Sequence, residues 1–283
     1  MIDSHAHYSH KRFEQAFRYL RYTDGEYEIT EGGREEIFEN MKQSGINAFV
    51  EPAIDIDSNY ILLDLYEQNK GFMYPAVGVH PTRTFLTKWK RRKELEKLVL
   101  REGVIAVGET GLDYHYARKD QHRLIQKMWF SYQLSLADKA GLPLILHIRE
   151  ADKDALKILK RNRKKIRDAV VHCYCKGADI AKEYLDLGFY FGIGGALLCG
   201  DESAAALNEA VKEIPIDRIL LETDAPYVLP DCTDAEGNKP SRKVRNTSTV
   251  IIAAAEKIAR IKGVTAAEVE AAAEENTRRL FHI

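Results

Sequence analysis

The chain predicts an α/β fold, a single-domain (β/α)8 TIM barrel over all 283 residues. Three observations carry this. Short apolar runs alternate with longer helical patterns along the whole length. The runs are continuous rather than alternating, as in strands covered on both faces. There are eight of them, and a barrel of about 250 residues is a common size. A doubly wound open sheet is the alternative, weakened because no Gly-x-Gly-x-x-Gly follows the first run.

The first strand opens the chain, in Met1-Ile2-Asp3-Ser4-His5-Ala6-His7. Side chains alternate along a strand, so Asp3, His5 and His7 point the same way. At a rise of about 3.3 Å per residue the two imidazoles stand roughly 7 Å apart along the backbone. A solvated histidine pair and a metal-binding pair are both open at this point. The next runs are 47–50, 73–79, 104–107, 142–148, 169–171, 189–193 and 219–221. Between the first two, Ile37, Phe38 and Met41 share a helix face, with Gly45 placed as a C-terminal cap. Residues 121–140 read as a long helix stopped by Gly141-Leu142-Pro143. Ile180, Ala181, Tyr184 and Leu185 repeat the helical spacing before Gly188. Residues 253–261 and 266–280 are the closing helices, with a solvated acidic face at 268–275. The one long polar loop, 231–243, follows the last strand.

Composition narrows the class. A net charge of −1 makes no bulk demand for nucleic acid or membrane, and leaves room for a local basic patch. Four cysteines (Cys173, Cys175, Cys199 and Cys232) in a chain this long do not form a disulfide framework. No apolar run reaches the roughly 18 residues of a membrane span, and no basic-then-apolar leader opens the chain. The expectation is a soluble cytoplasmic protein without a membrane partner; the oligomeric state is not readable.

The chemistry lies where polar residues end the runs. His5 and His7 end the first strand, His80 the third, Glu109 the fourth, His147 the fifth, His172 the sixth and Asp224 the eighth. Parallel strands put their C-terminal ends on one face of a barrel, where barrel enzymes keep their sites. Singly, such a histidine is ordinarily a hydrogen-bonded structural residue and such a carboxylate a helix cap. Their repetition at one topological position points to metal. The ligand set His5, His7, Glu109, His147, His172 and Asp224 is too large for one tetrahedral ion. It suits two ions about 3.5–4 Å apart, bridged by a carboxylate and a water. Barrel closure assigns His5, His7 and Asp224 to one ion, His147 and His172 to the other, and Glu109 to the bridge. Two divalent ions, two carboxylates and a hydroxide leave roughly one positive charge, which suits a phosphodiester. Zinc, manganese or iron fits the imidazoles best; magnesium, which prefers oxygen, is the further candidate.

These motifs resemble the TatD family of metal-dependent hydrolases. Asp3-Ser-His5-Ala-His7, Gly78-Val-His80-Pro81, Gly108-Glu109-Thr110-Gly111-Leu112-Asp113, His147-Ile-Arg149-Glu-Ala151, His172 and Glu222-Thr223-Asp224-Ala225-Pro226-Tyr227 are similar to its successive signatures, and 276–281 to its closing helix. The resemblance implies a TIM barrel, a two-metal site with the division just drawn, and deoxyribonuclease activity on DNA. Two places depart from the pattern. His172-Cys173-Tyr174-Cys175-Lys176-Gly177 stands where the family often has His-x-Phe-x-Gly, and Arg245-Asn246-Thr247-Ser248 where it often has Arg-Asn-Glu-Pro. The second bears on substrate preference more than on chemistry, since loops set specificity on this fold.

The expected mechanism is attack by a metal-bridging hydroxide on an ester bond. Asp224 is a ligand that can take the water's proton. Glu222, two residues earlier, is a candidate to support a ligand from behind. His80 is a candidate to hold the scissile phosphate or protonate the leaving group, with an oriented structural histidine as the alternative. Arg149 is a candidate phosphate fork, or a salt-bridge partner of Glu150 or Asp152. Of the basic runs, 161–167 belongs to the bottom of the barrel, whereas 88–93 and 242–245 lie nearer the active face. Trp89 is placed either to stack on a base or to pack inward. A rival substrate class is an amide, lactone or acyl ester such as aminoacyl-tRNA, with the loop 231–245 deciding. A non-catalytic binding barrel ranks last, because every ligand position is filled.

Overall fold

A computed structural model describes residues 1–200, 202–233, 237, 239–241 and 243–283, with the backbone alone for 202 and 203. Parts of the loop 231–245, including Arg242, lie outside the described residues. The elements run β1 (Ile2–Asp3), β2 (Phe17–Thr23), β3 (Glu26–Gly32), α1 (Arg34–Gln43), β4 (Ala48–Pro52), α2 (Ile56–Gln68), β5 (Met73–Val77), α3 (Arg92–Leu98), β6 (Ala106–Asp113) and α4 (Asp120–Ala140). They continue with β7 (Leu144–Arg149), α5 (Asp152–Arg161), β8 (Ala169–Val171), α6 (Ala178–Leu185), β9 (Tyr190–Ile193), α7 (Glu202–Glu213), β10 (Ile219–Leu221), α8 (Val250–Lys262) and α9 (Ala266–Phe281). Each of the eight apolar runs is a strand. The sheet order is β1-β4-β5-β6-β7-β8-β9-β10, and the segment after β10 pairs with the segment after β1, in parallel, at Ala6 and Ala225. This is the (β/α)8 barrel. Among the described residues no helix is long and apolar enough to cross a membrane.

The chain divides into two compact units. The first comprises Met1–Val50, Cys173–Lys182 and Phe191–Thr277; the second comprises Glu51–His172, Glu183–Tyr190 and Arg278–Ile283.

In the first unit β1 pairs with β4, and the ends of β1 and β10 are tied backbone to backbone. Ser4 N–H donates to Leu221 C=O, Asp224 N–H to His5 C=O and His7 N–H to Ala225 C=O, at 2.9, 2.9 and 2.7 Å. Behind β1, Tyr8 is buried among Phe13, Phe38 and Phe49. This unit contains an element that the apolar runs do not reveal. β2 and β3 form an antiparallel hairpin turned at Asp24 and Gly25, both with positive φ (54° and 85°), as a two-residue hairpin turn requires. The hairpin holds the chain that follows β10. Leu20 N–H donates to Arg245 C=O and Arg245 N–H to Arg18 C=O, while Leu20 packs with Cys232, Val244 and Val250.

In the second unit, buried amide side chains from two helices clasp strand backbone. Asn59 on α2 donates to Gly78 C=O and accepts from Gly78 N–H. On α4, Gln133 does the same for Val79 and also donates to Thr110 Oγ1. Gln126, two turns earlier, does it for Asp113. The clasps fix backbone at Gly78 and Val79, just before His80, and at Asp113, while Gln133 also holds the side chain of Thr110 next to Glu109. Trp89 takes the inward alternative. It packs edge to face on Trp129 and Tyr132, with Arg92 over its ring.

Candidate metal centre

In the first unit, three side chains converge at the ends of β1 and β10. His5 Nε2 and His7 Nε2 lie 3.2 Å apart, and Asp224 Oδ1 lies 3.7 and 3.4 Å from them. Both histidines are buried, whereas the Asp224 carboxylate keeps 18% of its exposure. Asp224 has φ 55°, a conformation that aspartate tolerates better than most residues. Behind the pair sits Asp3, fully buried. Its Oδ1 accepts from His5 N–H and Thr223 N–H, both at 3.1 Å. Its Oδ2 accepts from Thr223 Oγ1 and Ser248 Oγ, both at 2.6 Å. Burial pushes the Asp3 carboxyl up to about 7, against the hydrogen bonds from Ser248, Thr223 and His5. Glu222 is buried too. Its carboxylate accepts from Cys173 N–H and lies over Gly192, where a Cβ would stand 1.8 Å from Glu222 Oε2, so only glycine fits there.

The second unit holds a denser group. Glu109 Oε1 is 2.8 Å from His172 Nε2, 2.9 Å from His147 Nδ1 and 3.3 Å from His80 Nε2. His147 Nδ1 and His172 Nε2 are 3.2 Å apart. The β6–β7 register shifts between Val107 and Thr110, the kind of irregularity that re-aims a side chain, and Glu109 lies inside it. Gly111 permits the close approach of β6 to β7, since a Cβ there would stand 2.1 Å from His147 C=O. On its far side His147 Nε2 meets Asp113 Oδ2 at 3.1 Å. Burial alone would raise the Glu109 carboxyl, yet the charges of His172 and His80, with hydrogen bonds from His147 and His172, hold it well below the usual carboxylate range. Burial alone would lower His147, but its hydrogen bonds to Asp113 and Glu109 raise it. Burial dominates at His80 and lowers it.

Both groups fit a divalent ion. Two imidazole nitrogens each about 2.1 Å from a shared ion, roughly 100° apart, lie about 3.2 Å from one another. That is the spacing of His5 with His7 and of His147 with His172. Tautomers give a second test. An ionised Asp113 accepts a hydrogen bond from the Nε2–H of a neutral His147, which turns the Nδ1 lone pair towards the Glu109 carboxylate 2.9 Å away. Two acceptors at that distance need a cation or a proton between them.

Each of the six expected ligands thus stands in one of the two groups, and His80 joins the group of Glu109. Arg149 is on β7, exposed, beside Tyr116. Sequence reasoning missed the role of Asp113, of the amides Asn59, Gln126 and Gln133, and of Ser248 behind Asp3. The first of these lay within a motif already noticed, four residues after Glu109.

Comparison with known proteins agrees with this chemistry. Residues 2–282 match the family described as TatD related DNase. An uncharacterized metal-dependent hydrolase of Bacillus subtilis, YabD, is 31% identical over 283 residues, covering 100% of this chain and 99% of that protein. A 3'-5' ssDNA/RNA exonuclease TatD of Edwardsiella piscicida is 31% identical over 261 residues, 92% of this chain and 96% of its own. Among solved structures, the TatD homologue YJJV of Escherichia coli superposes with a TM-score of 0.80 at 25% identity, covering 100% of this chain and 98% of that one.

Proposed function

Since the chain belongs to the TatD family of metal-dependent hydrolases, we propose that it is a two-metal phosphodiesterase cleaving single-stranded nucleic acid, DNA foremost. The observation that carries this reading is two largely buried groups of candidate ligands, His5–His7–Asp224 in one unit and His80–Glu109–His147–His172 in the other. One ion in each group would supply Lewis-acid activation of a water and neutralisation of phosphoryl charge. The histidine-rich donor set suits zinc, manganese or iron better than magnesium.

The protein's own groups do the rest. Asp224, the more accessible carboxylate, takes the proton released by the attacking water. Glu109, kept ionised by the imidazoles around it, fixes His147 and His172 in ligand geometry. Asp113 sets the His147 tautomer. His80, anchored through Nδ1 to Thr82, keeps Nε2 directed into the group to meet a phosphate oxygen or the leaving group. Arg149 takes a phosphate at the mouth of β7, and Glu222 stiffens the turn at Cys173.

The test is metal analysis joined to a cleavage assay. Up to two divalent ions per chain are expected, with hydrolysis of a labelled single-stranded oligonucleotide that is lost on chelation and falls steeply with salt. Hydrolysis confined to small neutral esters would overturn the substrate class, and full activity after complete metal removal would overturn the mechanism.

A further inference from the structure

The loop after β6 presents an aromatic side chain that the metal chemistry leaves unused. Tyr116 is 60% exposed, and its hydroxyl has no hydrogen-bond partner among the described residues. Yet the residue is held firmly. Its backbone N–H donates to Asp113 Oδ1 at 2.9 Å, and the other oxygen of that carboxylate meets His147 Nε2. A single carboxylate therefore sets both the ligand His147 and the position of Tyr116. His115 packs edge-on against the ring, with centroids 4.9 Å apart, and is itself 2.9 Å from Glu150. The neighbouring Tyr114 N–H donates to Arg149 C=O, which docks the loop on the end of β7.

The charge beside the ring completes the pattern. The Arg149 guanidinium lies over one face of the Tyr116 ring, 5.7 Å from its centroid, so a base would stack on the opposite face. Arg149 is two residues beyond His147 on the same strand, so both lie on one side of it. A fixed, exposed ring next to a guanidinium, immediately beyond a candidate metal ligand, matches the needs of one nucleotide: a π-face for the base and a cation for the phosphate. Trp89, by contrast, packs edge to face against Trp129 and Tyr132 with Arg92 over its ring.

We propose that Tyr116 is a stacking platform for a base next to the scissile phosphodiester, with Arg149 holding the adjoining phosphate. This rests on the nuclease reading and deepens it. A base in a duplex has both faces covered by its neighbours, so the platform selects unpaired strands. Stacking on one ring tolerates any base, so it selects no sequence.

The experiment measures binding by fluorescence anisotropy with metal chelated. The probes are a short labelled single-stranded DNA and the same strand with abasic sites throughout. Tyr116→Ala and Tyr116→Leu should each weaken binding of the intact strand by roughly 5- to 100-fold. Tyr116→Phe should stay within about twofold, since the phenyl ring still offers a π-face. All three variants should bind the abasic strand as the wild type does, which also reports that they fold. Equal affinity of wild type and Tyr116→Ala for the intact strand, or an equal loss on the abasic strand, overturns the platform. The manganese-loaded wild type is assayed on the same intact strand to separate the two claims. Cleavage without Tyr116-dependent binding leaves the nuclease reading and removes the platform. Tyr116-dependent binding without cleavage keeps the platform and removes the nuclease reading.

Discussion

The two ligand groups are supported in opposite ways. In the first unit the support is a cluster of side chains around one buried carboxylate. Asp3 gathers His5 N–H, Thr223 N–H, Thr223 Oγ1 and Ser248 Oγ, and Ser248 is braced in turn by Tyr8. In the second unit the support comes mostly from helices, through amides that grip strand backbone. On the side away from the other candidate ligands, the imidazole of His147 is oriented by Asp113. The first arrangement is redundant, because several donors share one task. The second is serial, because each task has one residue. Loss of a single group should therefore cost more in the second unit than in the first.

The largest effect is expected at Glu109, where the serial character is strongest. Three imidazoles share one oxygen of this carboxylate. Glu109→Gln keeps the shape and removes the charge that the histidines are arranged around. Turnover should fall by roughly a thousandfold or more, about 4 kcal/mol at the transition state, with loss of the ion held by the second unit. Steady-state kinetics and metal analysis on the same preparation check this. A variant with full metal content and full rate would show that the group does not depend on Glu109.

Asp113→Asn should rank next. Asparagine can still accept from His147 Nε2–H, but without the charge that strengthens the bond and fixes the tautomer. A loss of roughly 10- to 100-fold in metal affinity is expected, confined to the ion of the second unit. Competition with a chromogenic chelator resolves it as one ion released early and one at the wild-type concentration. Simultaneous release of both would break the distinction between the units.

These unequal supports explain what could be read in the sequence. The eight strands were legible because covered strands are continuous apolar runs, and the six candidate ligands stood out because each follows or breaks such a run near its end. Asp113 was not legible in the same way. The apolar run 104–107 ends well before β6 does, since the strand continues through Glu109-Thr110-Gly111-Leu112 to Asp113. Gln126 and Gln133 look like ordinary polar positions on a long helix. Their spacing of seven, two turns on one face, was the available signal for a buried amide pair. The hairpin escaped because Phe17–Thr23 mixes arginine with apolar residues; Asp24-Gly25 was its local mark. Ser248 carried no local mark, since its partner Asp3 is 245 residues away in sequence.

Ser248 also gives the smallest expected effect and the sharpest test of redundancy. The residue lies in Arg245-Asn246-Thr247-Ser248, the stretch that leads into α8. Ser248→Ala removes one of four donors to Asp3 and leaves the other three in place. The Tyr8 hydroxyl keeps a partner, because the backbone N–H of residue 248 still donates to it at 2.8 Å. No buried group is left wholly unsatisfied, so the cost should be that of one hydrogen bond, about 1–2 kcal/mol. Thermal unfolding should fall by only a few degrees, and metal affinity of the first unit by less than about tenfold. Calorimetry and the same chelator competition used for Asp113→Asn measure both. If Ser248→Ala releases its ion as readily as Asp113→Asn releases the other, the hydroxyls around Asp3 are not interchangeable. The first group would then be as serial as the second, each donor setting a separate feature of His5.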